Sequence, residues 1–85
     1  MTDEQAFGIV LRKYRKQLGF SQEELSFRCG FDRSFVSLLE RGKQSPNMRV
    51  VKILAENLNV KASTIILDVE IMMENNINQK NDKLE

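Results

Sequence analysis

Apolar residues recur along this chain at the spacing of amphipathic helices. Phe7, Val10, Leu11, Tyr14 and Leu18 fall on one stripe when successive residues advance about 100°, while Arg12, Lys13, Arg15 and Lys16 point elsewhere. The stripe predicts a helix from Asp3 to Leu18, closed by Gly19. Ser21-Gln22-Glu23-Glu24 has the pattern of a capping box, in which the Ser hydroxyl accepts from the amide three residues on and Glu24 reaches back. The helix it opens ends at Gly30, a residue that enters a left-handed turn without steric penalty. Asp32 is placed to cap a third helix, Arg33 to Arg41, stopped by Gly42. A run of turn formers leads to Asn47, which caps a fourth helix through Leu58. Its inner stripe is Met48, Val51, Leu54, Ala55 and Leu58, and Asn59 suits a left-handed exit. A fifth helix runs from Ala62 to Glu74, ahead of a polar tail over 75–85 that is expected to be flexible. Val50-Val51 and Ile65-Ile66-Leu67 are too short for strands and sit within helical periodicity. The fold class is all-α, a bundle of five helices whose second and third form a helix-turn-helix.

The fifth helix is apolar on two sides. Ala62, Ile65, Ile66, Val69, Met72 and Met73 share one broad arc, with Leu67 and Ile71 roughly opposite. A second arc at the end of the bundle calls for a second covering surface. A homodimer supplies one, with Leu67 and Ile71 at its interface. Scattered surface residues are the alternative.

Composition narrows the chemistry. A chain of 85 residues makes one small domain, here residues 1–74 with the tail beyond. It has no His and a single Cys, which removes disulfide frameworks, zinc sites of Cys/His type and imidazole catalysis. Asp68, Glu70 and Glu74 lie on a helix with no His and no Gly-rich loop, so they read as a solvated face rather than paired catalytic acids. Cys29, a lone Cys, reads as a buried small hydrophobe rather than a redox or catalytic group. No enzyme activity, cofactor or metal is expected. The longest aliphatic run is Ile65-Ile66-Leu67, and the start Met1-Thr2-Asp3-Glu4 lacks the basic-then-apolar pattern of a secretion signal. The expectation is a cytoplasmic protein with no membrane partner.

Charge is distributed unevenly. Residues 11–52 hold ten Lys/Arg against four acids, and residues 53–85 hold three bases against six acids. A basic front half on a nearly neutral chain suits a face that binds a polyanion. Arg33 stands at the start of a helix, where the dipole disfavours a cation, so an anionic or acceptor-rich partner would explain it.

The segments Ser21-Gln22-Glu23-Glu24-Leu25 and Gly30 through Gly42, with the loop Lys43-Gln44-Ser45-Pro46-Asn47 and the Leu54-Ala55…Leu58-Asn59-Val60 exit, closely resemble the lambda-repressor/Cro-like (XRE) helix-turn-helix family. The resemblance spans residues 7 to 67. It implies a compact bundle whose third helix enters the major groove of double-stranded DNA. Arg33, Ser34, Ser37 and Leu38 would then face base edges, with Phe35 touching a thymine methyl or bracing the sugar-phosphate backbone. Gln22, Lys43, Ser45 and Asn47 would face the phosphates, and Arg41 would either touch a phosphate or complement the C-terminal dipole of its helix. It further implies that Leu25, Val36 and Leu39 point inward, and that Glu40 pairs with Arg12 or Arg15. Ser26 departs from the family's usual Ala, and Phe31 from its usual Val. The short chain and Asp32-Arg33-Ser34-Phe35-Val36-Ser37 most resemble the controller proteins of restriction–modification systems. The implied function is a sequence-specific transcriptional regulator, a homodimer on a pseudo-palindromic operator. An activator of this kind would also contact RNA polymerase. The competing reading is a protein-interaction module or antitoxin on the same bundle. Against it stand the polar and basic residues at the positions where an adaptor would carry an apolar patch.

Overall fold

The computed structural model describes the backbone of residues 1–84 and the side chains of residues 1–76. Five helices follow one another: α1 (Asp3–Gln17), α2 (Gln22–Cys29), α3 (Arg33–Glu40), α4 (Met48–Asn57) and α5 (Ala62–Leu84), with no strand among the described residues.

The helix ends explain the boundaries. α1 opens on a true capping box: Thr2 Oγ1 accepts from the Gln5 amide at 3.1 Å, and Gln5 Oε1 accepts from the Thr2 amide at 2.9 Å. At α2 only half of the expected box forms. Ser21 Oγ accepts from the Glu24 amide at 3.0 Å, but the Glu24 carboxylate turns forward to Arg28, 3.0 Å away one helical turn on. Asp32 holds the N-cap of α3 with an extended backbone, yet its carboxylate accepts no capping hydrogen bond. Asn47 does cap α4, accepting from the Val50 amide at 2.8 Å. Gly30 (φ 72°) and Asn59 (φ 59°) occupy the left-handed positions that the sequence assigns to them.

The core gathers Phe7, Val10 and Leu11 from α1, Leu25 from α2, Val36 and Leu39 from α3, Val51, Leu54 and Ala55 from α4, then Leu58 and Ile65. Each large side chain fully buried here contributes about 1.5–3 kcal/mol. Two stripe members lie outside it. Leu18 is 45% exposed, because α1 ends at Gln17 and Leu18 sits in the cap, and Phe20 packs on the core instead. Met48, the first residue of α4, is 75% exposed, and core packing starts one turn later at Val51.

α1 crosses the end of α3 at backbone distance. A Cβ on Gly8 would lie 2.4 Å from the Glu40 carbonyl oxygen and 2.6 Å from that of Leu39. A Cβ on Gly42 would lie 2.8 Å from Gln5 Cα. These two approaches fix the exit of α3, and the loop that follows it, against the first turns of α1.

α5 differs from expectation at both its face and its length. Ile65 is fully buried and Val69 and Met72 pack on the core, but Ile66 is 45% exposed, so the inner arc is narrower than the periodicity suggested. The helix runs past Glu74 to Leu84, through a sequence that holds no Gly or Pro after Pro46. The flexible tail expected over 75–85 concerns residues whose side chains, from 77 onward, lie outside the described ones.

Candidate nucleic-acid interface

α3 is short and sharply two-sided. Val36 and Leu39 are fully buried, which turns Ser34, Ser37, Leu38 and Arg41 to an arc about 100° wide on the opposite side. Arg33 and Ser34 are exposed at the start of the helix, while Ser37 and Leu38 are half-buried. Arg41 is exposed, and its Nε donates to the Ser37 carbonyl at 3.4 Å. Phe35 stands apart from this row. Its ring is half-buried and packs edge-on against Phe31, with centroids 5.3 Å apart. The large residue in the turn at Phe31 therefore engages the aromatic that the sequence assigned to base contact.

The start of α2 is tied to the end of α3 by a buried polar network. Arg15 Nε lies 2.5 Å from Glu40 Oε2 and Nη2 donates to Glu40 Oε1 at 2.9 Å, with the two side chains only 9% and 4% exposed. A third guanidinium bond goes from Nη1 to the Phe20 carbonyl at 2.8 Å. Glu40 Oε1 also accepts from Gln22 Nε2 at 3.0 Å. The Glu40 hydrogen bonds push the Arg15 guanidinium further above its already high range, against the opposing effect of burial. Arg15 is thus the partner of Glu40, and Arg12 is exposed. Periodicity separates the two, since Arg15 falls one turn after the core residue Leu11. One Gln22 amide hydrogen is used in this network, and the second is left to donate. Ser26, buried where the family favours Ala, satisfies its hydroxyl on the Gln22 carbonyl at 2.6 Å.

The loop after α3 carries Lys43, Ser45 and Asn47, all exposed. Ser45 Oγ donates to Glu4 Oε1 at 3.4 Å, so the loop rests on the first turn of α1 through this bond and the Gly42 approach. Asn47 spends its side-chain oxygen on the α4 cap, which leaves the amide NH2 to donate. Free amides at the starts of α2 and α4 add donors of the kind phosphates accept from. Glu23 was not singled out by the sequence: its Oε2 lies 3.9 Å from Arg33 Nη1 across the two helix starts. The signal was present in the charge pattern, an acid at the start of one helix and an unexplained base at the start of the next.

Elsewhere, Cys29 is half-buried, and desolvation pushes its thiol up to about 11, which makes it a poor nucleophile at neutral pH. On α5, Leu67 is 54% and Ile71 45% exposed. Hollows of about 320 and 280 Å³ flank that helix, one bordered by Val10, Ile71 and Met72, the other by Phe7, Ile66 and Val69. Tyr14 donates its phenol hydrogen to Asp68 Oδ2, pinning α5 to α1, and this bond and burial raise the phenol above its usual range. No helix among the described residues is long and apolar enough to cross a membrane.

The helix-turn-helix with its short, two-sided second helix defines a class, and comparison with known proteins agrees with it. A family model described as helix-turn-helix matches residues 11–65, and the chain belongs to this XRE-type family of transcriptional regulators. It is 37% identical over 71 residues to a hypothetical transcription factor of Neisseria meningitidis, covering 79% of this chain and 67% of that one. Among solved structures, the restriction–modification controller protein C.AhdI from Aeromonas hydrophila superposes with a TM-score of 0.72. It is 36% identical, over 74% of this chain and 96% of that one. A second controller protein, C.Esp1396I, crystallised as a tetramer with its natural 35 base-pair operator, shares the fold with a TM-score of 0.70. Its identity is 20%, over 81% of this chain and 96% of that one.

Proposed function

We propose that the chain regulates transcription by binding a pseudo-palindromic operator as a homodimer, acting through binding alone and without catalysis, in the cytoplasm. The observation that carries this reading is the outer arc of α3. Ser34 and Ser37 face away from the core on a helix whose opposite side is fully buried, and Arg33 is exposed at its start. Arg33 would read a guanine through two parallel hydrogen bonds, with Ser34, Ser37 and Leu38 completing the contact with base edges. Gln22, Arg41, Lys43 and Asn47 would hold phosphates on either side, and Ser45 would join them by releasing its hydroxyl hydrogen from Glu4. Phe35, braced on Phe31, would touch the groove with its edge only. Leu67 and Ile71, both about half exposed on one side of α5, would form the dimer contact. The likeness to C.AhdI favours a restriction–modification controller. As an activator it would also meet RNA polymerase.

Selection of bound sequences from a random duplex pool at fixed salt tests the reading. It should return a motif with two inverted half-sites about 34 Å apart, one turn of the double helix. A pool that returns no enriched motif contradicts it.

A further inference from the structure

Glu23 is an acid on a face otherwise built for an anion. Its side chain is 80% exposed and that of Arg33 is 67% exposed. The neighbouring carboxylate, Glu24, is engaged with Arg28, and Ser21 supplies the cap of α2. Glu23 therefore serves neither the cap nor the helix's own ion pair. What it does meet is the Nη1 end of the Arg33 guanidinium, at 3.9 Å.

We propose that Glu23 is a positioning and specificity-determining residue, which holds Arg33 for base reading and keeps it from serving as a general phosphate clamp. The inference rests on the DNA-binding reading above. A guanidinium presents its donors in a rigid planar fork. With Nη1 turned to Glu23, the Nε/Nη2 edge stays free, and that edge offers the two parallel donors that guanine O6 and N7 accept. At 3.9 Å the pair is loose enough for Arg33 to settle on a base without breaking a tight bond. On DNA that lacks the right base, Arg33 could still turn to a phosphate. Glu23 opposes that turn twice, by competing for the guanidinium and by repelling the phosphate. It weakens binding to random sequence more than binding to the operator, and so raises the ratio between them.

The test measures binding of wild type, Glu23→Gln, Arg33→Ala and the double variant to the selected duplex and to a scrambled one at the same salt. Helical circular dichroism checks the fold of each. Glu23→Gln should bind the scrambled duplex more tightly and lower the operator-to-scrambled ratio by about two- to fivefold per half-site, the scale of an exposed ion pair. In the Arg33→Ala background the same change should leave the ratio where it was. A ratio loss that persists without Arg33 overturns the inference, since Glu23 would then contact a base by itself. A shift of both duplexes by one common factor overturns it too, leaving only general repulsion. A wild type that cannot tell the two duplexes apart would sink the DNA-binding reading and this inference with it. A wild type that discriminates, with an unchanged ratio in Glu23→Gln, removes the inference alone.

Discussion

α3 and α5 each leave the body of the bundle with a face that the fold does not use, and the two faces differ in kind. α3 has eight residues, with Val36 and Leu39 completely buried, Ser34 and Arg41 exposed on the other side and Arg33 exposed at the helix start. α5 has 23 residues, and its exposed positions include Ile66, Leu67 and Ile71. Polar exposure beside free helix-start amides fits a partner rich in hydrogen-bond acceptors. Apolar exposure beside unfilled hollows fits a partner that brings apolar surface of its own. Attachment differs as well. α3 is gripped at its end by the Gly8 approach and by the buried Arg15–Glu40–Gln22 network, while α5 is held by Ile65, its packed neighbours and the Tyr14–Asp68 bond. A rigidly seated helix suits the reading of base edges, where small displacements matter, and a helix that meets its own copy can tolerate more give.

The largest break in this contrast should come from the network. Glu40→Ala leaves the Arg15 guanidinium buried without its carboxylate and frees Gln22, and should destabilise the fold by about 3–5 kcal/mol in urea unfolding followed by circular dichroism. Replacing both charges, Arg15→Met with Glu40→Leu, should recover most of that stability, because no unpaired charge remains. DNA binding should stay weak in the double variant, since Gln22 no longer has the group that orients it. Full recovery of binding would show that the network serves stability only.

α5 should respond in the opposite way. Leu67→Asp or Ile71→Asp should shift the protein to monomer in sedimentation and leave the helical signal largely intact, because both side chains are about half exposed in the single chain. Unfolding of either variant would place these residues in the core, and two persistent dimers would move the interface elsewhere.

The helices were legible in the sequence because each signal was local. Spacing marked out all five, with caps read ahead of α2, α3 and α4 and a glycine or Asn59 behind the first four, and Leu25, Val36 and Leu39 are buried as the family resemblance implied. The misses share a cause, competition between partners that only the folded chain brings together. Glu24 had a choice between the Ser21 amide and Arg28, and took Arg28. Phe35 had a ring neighbour at Phe31 that no helical wheel of α3 contains. Ile66 fell on the inner arc by angle, but α1 and α4 cover only the part of α5 around Ile65, Val69 and Met72. At the candidate interface, residue types and order could be read, whereas the anchoring of Gln22 to Glu40 and of Ser45 to Glu4 depended on pairings distant in sequence.

The central claim, that Arg33 reads a base while the loop holds the backbone, is tested most directly by salt titration of Arg33→Ala and Lys43→Ala on operator and scrambled duplexes. Arg33→Ala should lose about 1–3 kcal/mol on the operator, relax the preference at one base pair per half-site, and change binding to the scrambled duplex far less. Lys43→Ala should weaken both duplexes about equally and lower the log–log salt slope by roughly 0.9 for each phosphate that is no longer neutralised, about twice that in a symmetric dimer. Equal weakening of both duplexes by Arg33→Ala would contradict the claim, make Arg33 a phosphate clamp, and pass base reading to Ser34, Phe35 and Ser37.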